Sequence, residues 1–287
     1  MNKLLNKQKS DFYKPSLIAK LARIIIPLLY RLFPYAIYRY SYNFLYSTYR
    51  SLYRYSYLIV LLKSIFKDKV YRKKALLTWK LLPYTLGGRK SLENAFEMVR
   101  IVEKNNIPGA FVECGVAQGG TAAMLVCAQD ELGSFKRNNC FFDSYEGLPE
   151  PTKDDYIKGK TGSFIRPLPK GSCLGTIEQV SDLMYKKLKK SSKNVKLIKG
   201  WFQDTIYPYK DKIKEIAILR LDGDWYESTK IPLENLYDQV SVGGIVIIDD
   251  YGTCFGSKKA TDEFIKFRKL KVTLIPDGRG GIYFFKP

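Results

Sequence analysis

Two apolar runs, each ending in a pair of aspartates, constrain this chain most. Ile216 to Ser228 reads IAILRLDGDWYES, and Gly243 to Tyr251 reads GGIVIIDDY. A short apolar run bounded by turn residues marks a strand buried on both faces, as in parallel sheets. In open α/β sheets, ligands sit outside the carboxyl ends of the strands. Adjacent strands of this kind bring Asp222, Asp224, Asp249 and Asp250 around one small volume. Four like charges there are unfavourable unless a cation or protons neutralise them. Ligands that are all oxygen suit Mg2+, Mn2+ or Ca2+. One aspartate at a strand end is commonly a helix cap or turn former, but two pairs at matching ends point to chemistry. Asp222 and Asp224 are two apart, so in an extended strand they face the same way. Asp249 and Asp250 are consecutive, so the chain must leave strand geometry for both to reach one ion.

The sequence around these runs alternates between strand and helix patterns. Strands are expected at Gly109–Cys114, Cys140–Asp143, Val195–Gly200, Ile216–Asp222 and Gly244–Asp249. Helices are expected at Ser91–Lys104 with Ser91 as N-cap, Thr121–Asp130, Thr176–Leu188, Pro232–Val240 and Ser257–Leu270. Val272–Ile275 and Gly281–Phe285 can pair as a hairpin around Pro276-Asp277-Gly278. This is the pattern of a doubly wound, Rossmann-like α/β domain over residues 81–287 with an antiparallel terminal hairpin. Glu150 to Cys173 is rich in Pro, Gly and Lys, and is long enough to be a mobile lid.

Charge separates this domain from what precedes it. Residues 1–90 hold 19 Lys/Arg against two acidic residues, Asp11 and Asp68, whereas the remainder holds 29 against 26. Residues 1–80 therefore read as a basic, Tyr-rich helical extension. Such asymmetry suits an anionic partner surface. Leu17 to Tyr40 is interrupted by Lys20, Arg23, Pro27, Arg31 and Pro34, and Tyr57 to Phe66 is short, so neither supplies the roughly 20 apolar residues of a membrane span. Amphipathic helices at a bilayer interface fit, with Tyr, Lys and Arg at the headgroups. A helical lobe packed on the catalytic domain, or on a second subunit in a homo-oligomer, fits equally. No nucleic-acid-binding motif accompanies the charge. Five scattered cysteines without CxxC spacing, and no secretory signal, place the protein in a reducing, cytoplasmic compartment, peripheral on the membrane surface if the interfacial reading holds. The chain has no His, which leaves carboxylate, Lys, Tyr or Cys for proton transfer.

A Gly-rich loop, Glu113-Cys-Gly115-Val-Ala117-Gln-Gly119-Gly120-Thr121, follows one strand and opens a helix, as a nucleotide-type loop requires. Asp143, followed by Ser144, ends the next strand, where an acidic residue can accept hydrogen bonds from ribose hydroxyls. No Walker Lys is present, and Ala117 stands where a dinucleotide fold prefers Gly. A small adenosine-type ligand beside a carboxylate metal site remains.

The segments FVECGVAQGGT, FFDSYEGLPEP, LIKGWFQDT, ILRLDGDWYEST and VIIDDYG, in this order and spacing, resemble the macrocin O-methyltransferase (TylF/MycF-like) family from about Pro83 to Tyr283. The resemblance implies a class I methyltransferase sheet, S-adenosylmethionine (SAM) as cofactor and one Mg2+. By motif, Asp222, Asp249 and Asp250 would hold the metal, and Asp224 would take the proton from a sugar hydroxyl. Glu113, Gly115, Val116, Gly119, Gly120 and Thr121 would line the SAM pocket, with Asp143 on the ribose and Ser144 beside it. Gly200, Trp201 and Phe202 would flank the adenine. Tyr84, Thr85 and Leu86 match a YTM segment that closes over the cofactor, with Leu86 replacing Met. The acceptor implied is a glycosyl hydroxyl, and the basic extension suggests a lipid-linked or cell-surface glycan. The same catalysis on a soluble glycosylated metabolite is one alternative. A non-catalytic membrane-surface scaffold is another, and retention of all four aspartates argues against it.

Overall fold

The alternation closes into one sheet. The structure, a computed structural model, describes residues 28, 31–34, 37, 44, 48, 51–133, 136–156, 168 and 170–287. The readings of residues 1–50, Leu17–Tyr40 among them, and of residues 157–169 lie largely outside the described residues. Strands β1 (Ala110–Cys114), β2 (Asn139–Asp143), β3 (Val195–Lys199), β4 (Ile216–Leu221) and β5 (Val240–Ile248) are parallel. The two-residue β6 (Ile275–Pro276) and β7 (Ile282–Phe285) form the hairpin, and β7 also pairs antiparallel with β5. The spatial order is β3–β2–β1–β4–β5–β7–β6. Strand order reverses between β1 and β4, the switch point where such sheets bind ligands.

Helices α1 (Leu58–Ser64), α2 (Lys69–Leu81), α3 (Gly88–Lys104), α4 (Gly120–Leu132) and α5 (Ile177–Ser181), the last running into a π-helical stretch at 182–187, cover one face. Helices α6 (Phe202–Lys210), α7 (Tyr226–Leu236) and α8 (Phe255–Phe267) cover the other. Every residue of α4 from Gly120 to Gln129 is buried. The sheet, α3 and α2 enclose it, which accounts for an apolar sequence all round the helix. The described part of the basic segment thus shares the domain's core, through Tyr57, Ala75 and Leu81.

Three expectations are corrected in detail. Ser91 is not an N-cap: α3 begins at Gly88, and Ser91 is buried in its first turn. Helix α7 begins at Tyr226 and carries Pro232 inside it, and α6, unanticipated, carries Pro208. Interior prolines ordinarily end helices; here packing of Ile206, Leu233 and Leu236 into the core outweighs that preference. Residues 272–274 are not strand, because β6 pairs with β7 only at Ile275 and Pro276.

Candidate active site

Side-chain parity and the parallel register build a buried charge cluster at the carboxyl ends of β1, β4 and β5. Glu113 on β1 is in register with Arg220 on β4, and both point to the α3–α4 face. The Arg220 guanidinium donates to Glu113 Oε1 at 2.9 Å, to Asp222 Oδ2 at 2.7 Å and to Ser91 Oγ at 3.3 Å. It also donates to Asp249 Oδ1, and Arg279 from the β6–β7 loop donates to Asp249 Oδ2. Two guanidinium groups therefore hold the Asp249 carboxyl well below the usual carboxylate range despite its burial. Asp222 moves the other way, pushed up to about 6 by burial and by Asp249.

Oxygens of Asp222, Asp249 and Asp250 lie within 4.8 Å of one another. Asp250 Oδ1 accepts from the Thr253 hydroxyl at 3.0 Å, while its buried Oδ2 has no partner. An orphaned buried carboxylate oxygen is costly, and burial with three neighbouring carboxylates drives the Asp250 pKa well up. Glu113 and the four aspartates face two arginines, an excess of three negative charges when all are ionised. Three mutually close carboxylates, one with a vacant oxygen, fit a hard dication. Asp224, Asp250 and Cys254 also cluster. Burial holds the Cys254 thiol well above its ordinary pKa, so it is a poor metal ligand.

Asp224 reaches this cluster by a turn, which corrects the expectation from strand parity. Strand β4 ends at Leu221, the Trp225 N–H donates to the Gly223 carbonyl at 2.6 Å, and Asp224 has φ 61°. A left-handed backbone at a residue other than glycine stores strain of the kind found at functional sites. Cys254 Sγ donates to Asp224 Oδ1 at 3.6 Å. Burial, with Asp222 and Asp249 nearby, pushes Asp224 up to about 8. By contrast, Asp249 and Asp250 follow the last residue of β5, where the chain leaves strand geometry as expected.

Asp224 and Asp222 open on a cavity of about 380 Å³ that Gly115, Asp143, Ser144, Trp201 and Phe202 also line, within the range of small-molecule pockets. Asp143 Oδ2 accepts the N–H groups of Val116 and Ala117 at 2.7 and 2.8 Å, and Oδ1 accepts that of Tyr145 at 2.6 Å. Each carboxylate oxygen has two acceptor directions, so Asp143 shapes the loop and keeps one direction for a ligand. Ala117 adopts φ 46° there. At Gly115 a Cβ would lie 1.9 Å from the Asp222 carbonyl oxygen, so only glycine lets β1 and β4 end side by side.

The other expected residues sit behind this wall. Glu113 is wholly buried and takes the Thr121 hydroxyl and Arg220; it does not line the cavity. Gly120 packs against the backbone of Tyr84 and Thr85, and Gly119 against Val180 and Leu183. Val116, Gly200 and Leu86 are likewise outside the cavity lining. Sequence reasoning missed Arg220 and Arg279. A charged residue inside the apolar run IAILRL was the available signal for Arg220, since a buried charge needs a partner. It also missed Leu148 and Pro149, which form the far wall with Trp225, a residue the sequence offered as either a sugar contact or core; its Nε1 donates to the Pro149 carbonyl at 3.2 Å.

Comparison with known proteins identifies the family and the fold. Residues 46–286 match the family described as macrocin-O-methyltransferase (TylF). The chain is 34% identical over 220 residues to demethyldecarbamoylnovobiocin O-methyltransferase of Streptomyces niveus, covering 76% of this chain and 82% of that one. It is 34% identical over 173 residues to 8-demethyl-8-(2,3-dimethoxy-alpha-L-rhamnosyl)-tetracenomycin-C 4'-O-methyltransferase of Streptomyces olivaceus, covering 60% and 64%. Among solved structures, the O-methyltransferase NovP superposes with a TM-score of 0.63 at 30% identity, over 83% of this chain and 99% of that one. The family match begins at residue 46, so it takes in α1 and α2 as well as the domain expected from residue 81.

Proposed function

The chain belongs to the macrocin O-methyltransferase family and is an O-methyltransferase, and from that premise we propose that it methylates a sugar hydroxyl of a glycan or glycosylated acceptor, using SAM and Mg2+. The observation that carries this reading is Asp224, a carboxylate held in a strained turn beside three clustered carboxylates and open to the cavity. A relative named for methylation of a rhamnosyl compound supports the sugar acceptor.

In this reading Asp143, Ser144, Gly115, Trp201 and Phe202 hold the cofactor on their side of the cavity. When bound, SAM supplies an electrophilic methyl group on a positive sulfonium. Asp222, Asp249 and Asp250 would hold the cation, which would supply Lewis-acid activation of an acceptor hydroxyl. Asp224, open to the cavity beside that cluster, accepts the proton of the reacting hydroxyl as general base. Proton uptake by Asp224 also removes one negative charge from the overcharged cluster. Trp225, Leu148 and Pro149 form an apolar wall that excludes water. Glu113, Val116, Gly119, Gly120 and Thr121 build the loop and helix start that shape the cofactor side, and Gly200 leads into Trp201 and Phe202. Tyr84 and Thr85 brace that loop from outside. The excess of Lys and Arg in residues 1–90 supports peripheral attachment to an anionic, cytoplasmic membrane surface and a lipid-linked acceptor.

The acceptor is found by mass spectrometry of glycans from cells with and without the protein. With it in hand, Asp224→Asn keeps Mg2+ and SAM binding by calorimetry and loses turnover by about 10²–10⁴-fold. Loss of metal binding in Asp224→Asn but not in Asp222→Asn would exchange the two roles. Turnover that survives chelation would refute the metal mechanism.

A further inference from the structure

Helical residues 51–56, a turn at Tyr57, helix α1 and the turn after it carry a stripe that nothing among the described residues covers. Leu52, Tyr55, Ile59, Leu62 and Phe66 follow one another at steps of three and four, the spacing of one helix face. Their exposures are 64%, 56%, 61%, 62% and 90%, so this face is solvent-facing throughout. The opposite face is used: Tyr57 is buried and donates to Glu93, and Ser64 is buried. Lys63, Lys67, Lys69 and Arg72 are exposed beside the stripe. The nearby acid, Asp68, is engaged in capping α2 through the Tyr71 N–H.

The placement of the stripe follows from its neighbours. Helix α2 leads through residues 82–84 to Thr85, which packs on Gly120 at the cavity end of the sheet. At its other end, Lys73 pairs with Glu131 in the last turn of α4. Arg54 lies 4.8 Å over the Trp79 ring, near the cavity end of α2. The stripe therefore runs the height of the domain, with Leu52 toward the cavity end and Phe66 away from it.

From this we infer that residues 51–72 lie on an anionic lipid bilayer, with Leu52, Tyr55, Ile59, Leu62 and Phe66 in the headgroup–acyl boundary and the flanking Lys and Arg on lipid headgroups. The inference deepens the membrane-associated acceptor reading above and rests on it. Charge complementarity selects the occupant: apolar side chains rimmed by cations suit an anionic interface. The orientation lays the domain's side against the bilayer and brings the cavity end near lipid-borne sugars.

The test uses the full chain, with vesicles of phosphatidylcholine alone or mixed with phosphatidylglycerol. The wild-type protein sediments with the anionic vesicles, less so at high salt, and weakly with the neutral ones. Ile59→Asp with Leu62→Asp loses partitioning by about tenfold per site while circular dichroism is unchanged. Lys63→Glu with Lys67→Glu, a variant that leaves the apolar face intact, loses the salt-dependent part. Undiminished sedimentation of both variants overturns the inference, as does equal sedimentation with neutral vesicles. A wild-type dimer that Ile59→Asp with Leu62→Asp makes monomeric, without vesicle binding, would assign the stripe to a second copy instead. Calorimetry with SAM separates the two readings. If wild type and variants alike do not bind SAM, the methyl-transfer reading fails, whereas vesicle binding that is undiminished in both variants with SAM binding retained fails the bilayer inference alone.

Discussion

Arg220→Met tests whether the cluster under the cavity is an electrostatic device. The Arg220 side chain is 3% exposed, and its partners Glu113 and Asp249 are 0% and 3% exposed. Met keeps much of the side-chain volume and removes the charge. Glu113 Oε1 is then left with the Thr121 hydroxyl, Asp249 with Arg279, and Asp222 without its 2.7 Å partner. Breaking a buried ion pair by removing one partner costs about 3–5 kcal/mol. At about 2–4 °C per kcal/mol for a chain approaching this size, the thermal midpoint falls on the order of 10 °C. Carboxylates that lose a cation take up protons, so the loss is smaller at acid pH. Glu113→Gln in the same chain restores part of the stability, and a double-mutant cycle on melting in chelator reads the coupling. Added Mg2+ raises the midpoint more in Arg220→Met than in wild type, since a cation that binds only the folded state stabilises it. A shift below about 1 kcal/mol, typical of a neutral substitution, would show that the guanidinium does not balance these carboxylates and refute the reasoning.

Two further outcomes follow from the same geometry. Asp222 and Asp224 have folded pKa values of about 6 and about 8, above the ordinary 3.8, so between those limits the folded, metal-free protein binds more protons than the unfolded chain. Stability in chelator therefore falls as pH rises from about 4 to about 8; melting in chelator that improves across that window would contradict this. Asp143→Ala releases three backbone N–H groups as well as a ligand contact, so calorimetry finds SAM binding weaker by about tenfold or more, and unchanged affinity would remove Asp143 from the site.

The apolar runs IAILRL and GGIVII, with polar punctuation after them, suffice to predict buried parallel strands ending in carboxylates. Strand parity and length are local properties, so the sheet class, the hairpin and the gathering of four aspartates are legible along the chain. Local pattern cannot specify what depends on neighbours distant in sequence. Asp224 reaches the site through a left-handed turn at Gly223–Asp224, not by the parity of an extended strand, because β4 stops at Leu221. Glu113 faces Arg220, 107 residues away, because parallel register sets them side by side, and burial then makes their pairing obligatory. Asp143 is committed to the Gly115–Ala117 loop by backbone donors 26 and 27 residues distant. The prolines of α6 and α7 disfavour helix in the turn before them, and the packing of Ile206, Leu233 and Leu236 against the sheet outweighs that preference. Residue identity along the chain determined which charges this protein carries to its strand ends. Tertiary structure decided which of them neutralise one another and which remain open to the cavity, since burial and long-range register set the cost of each charge.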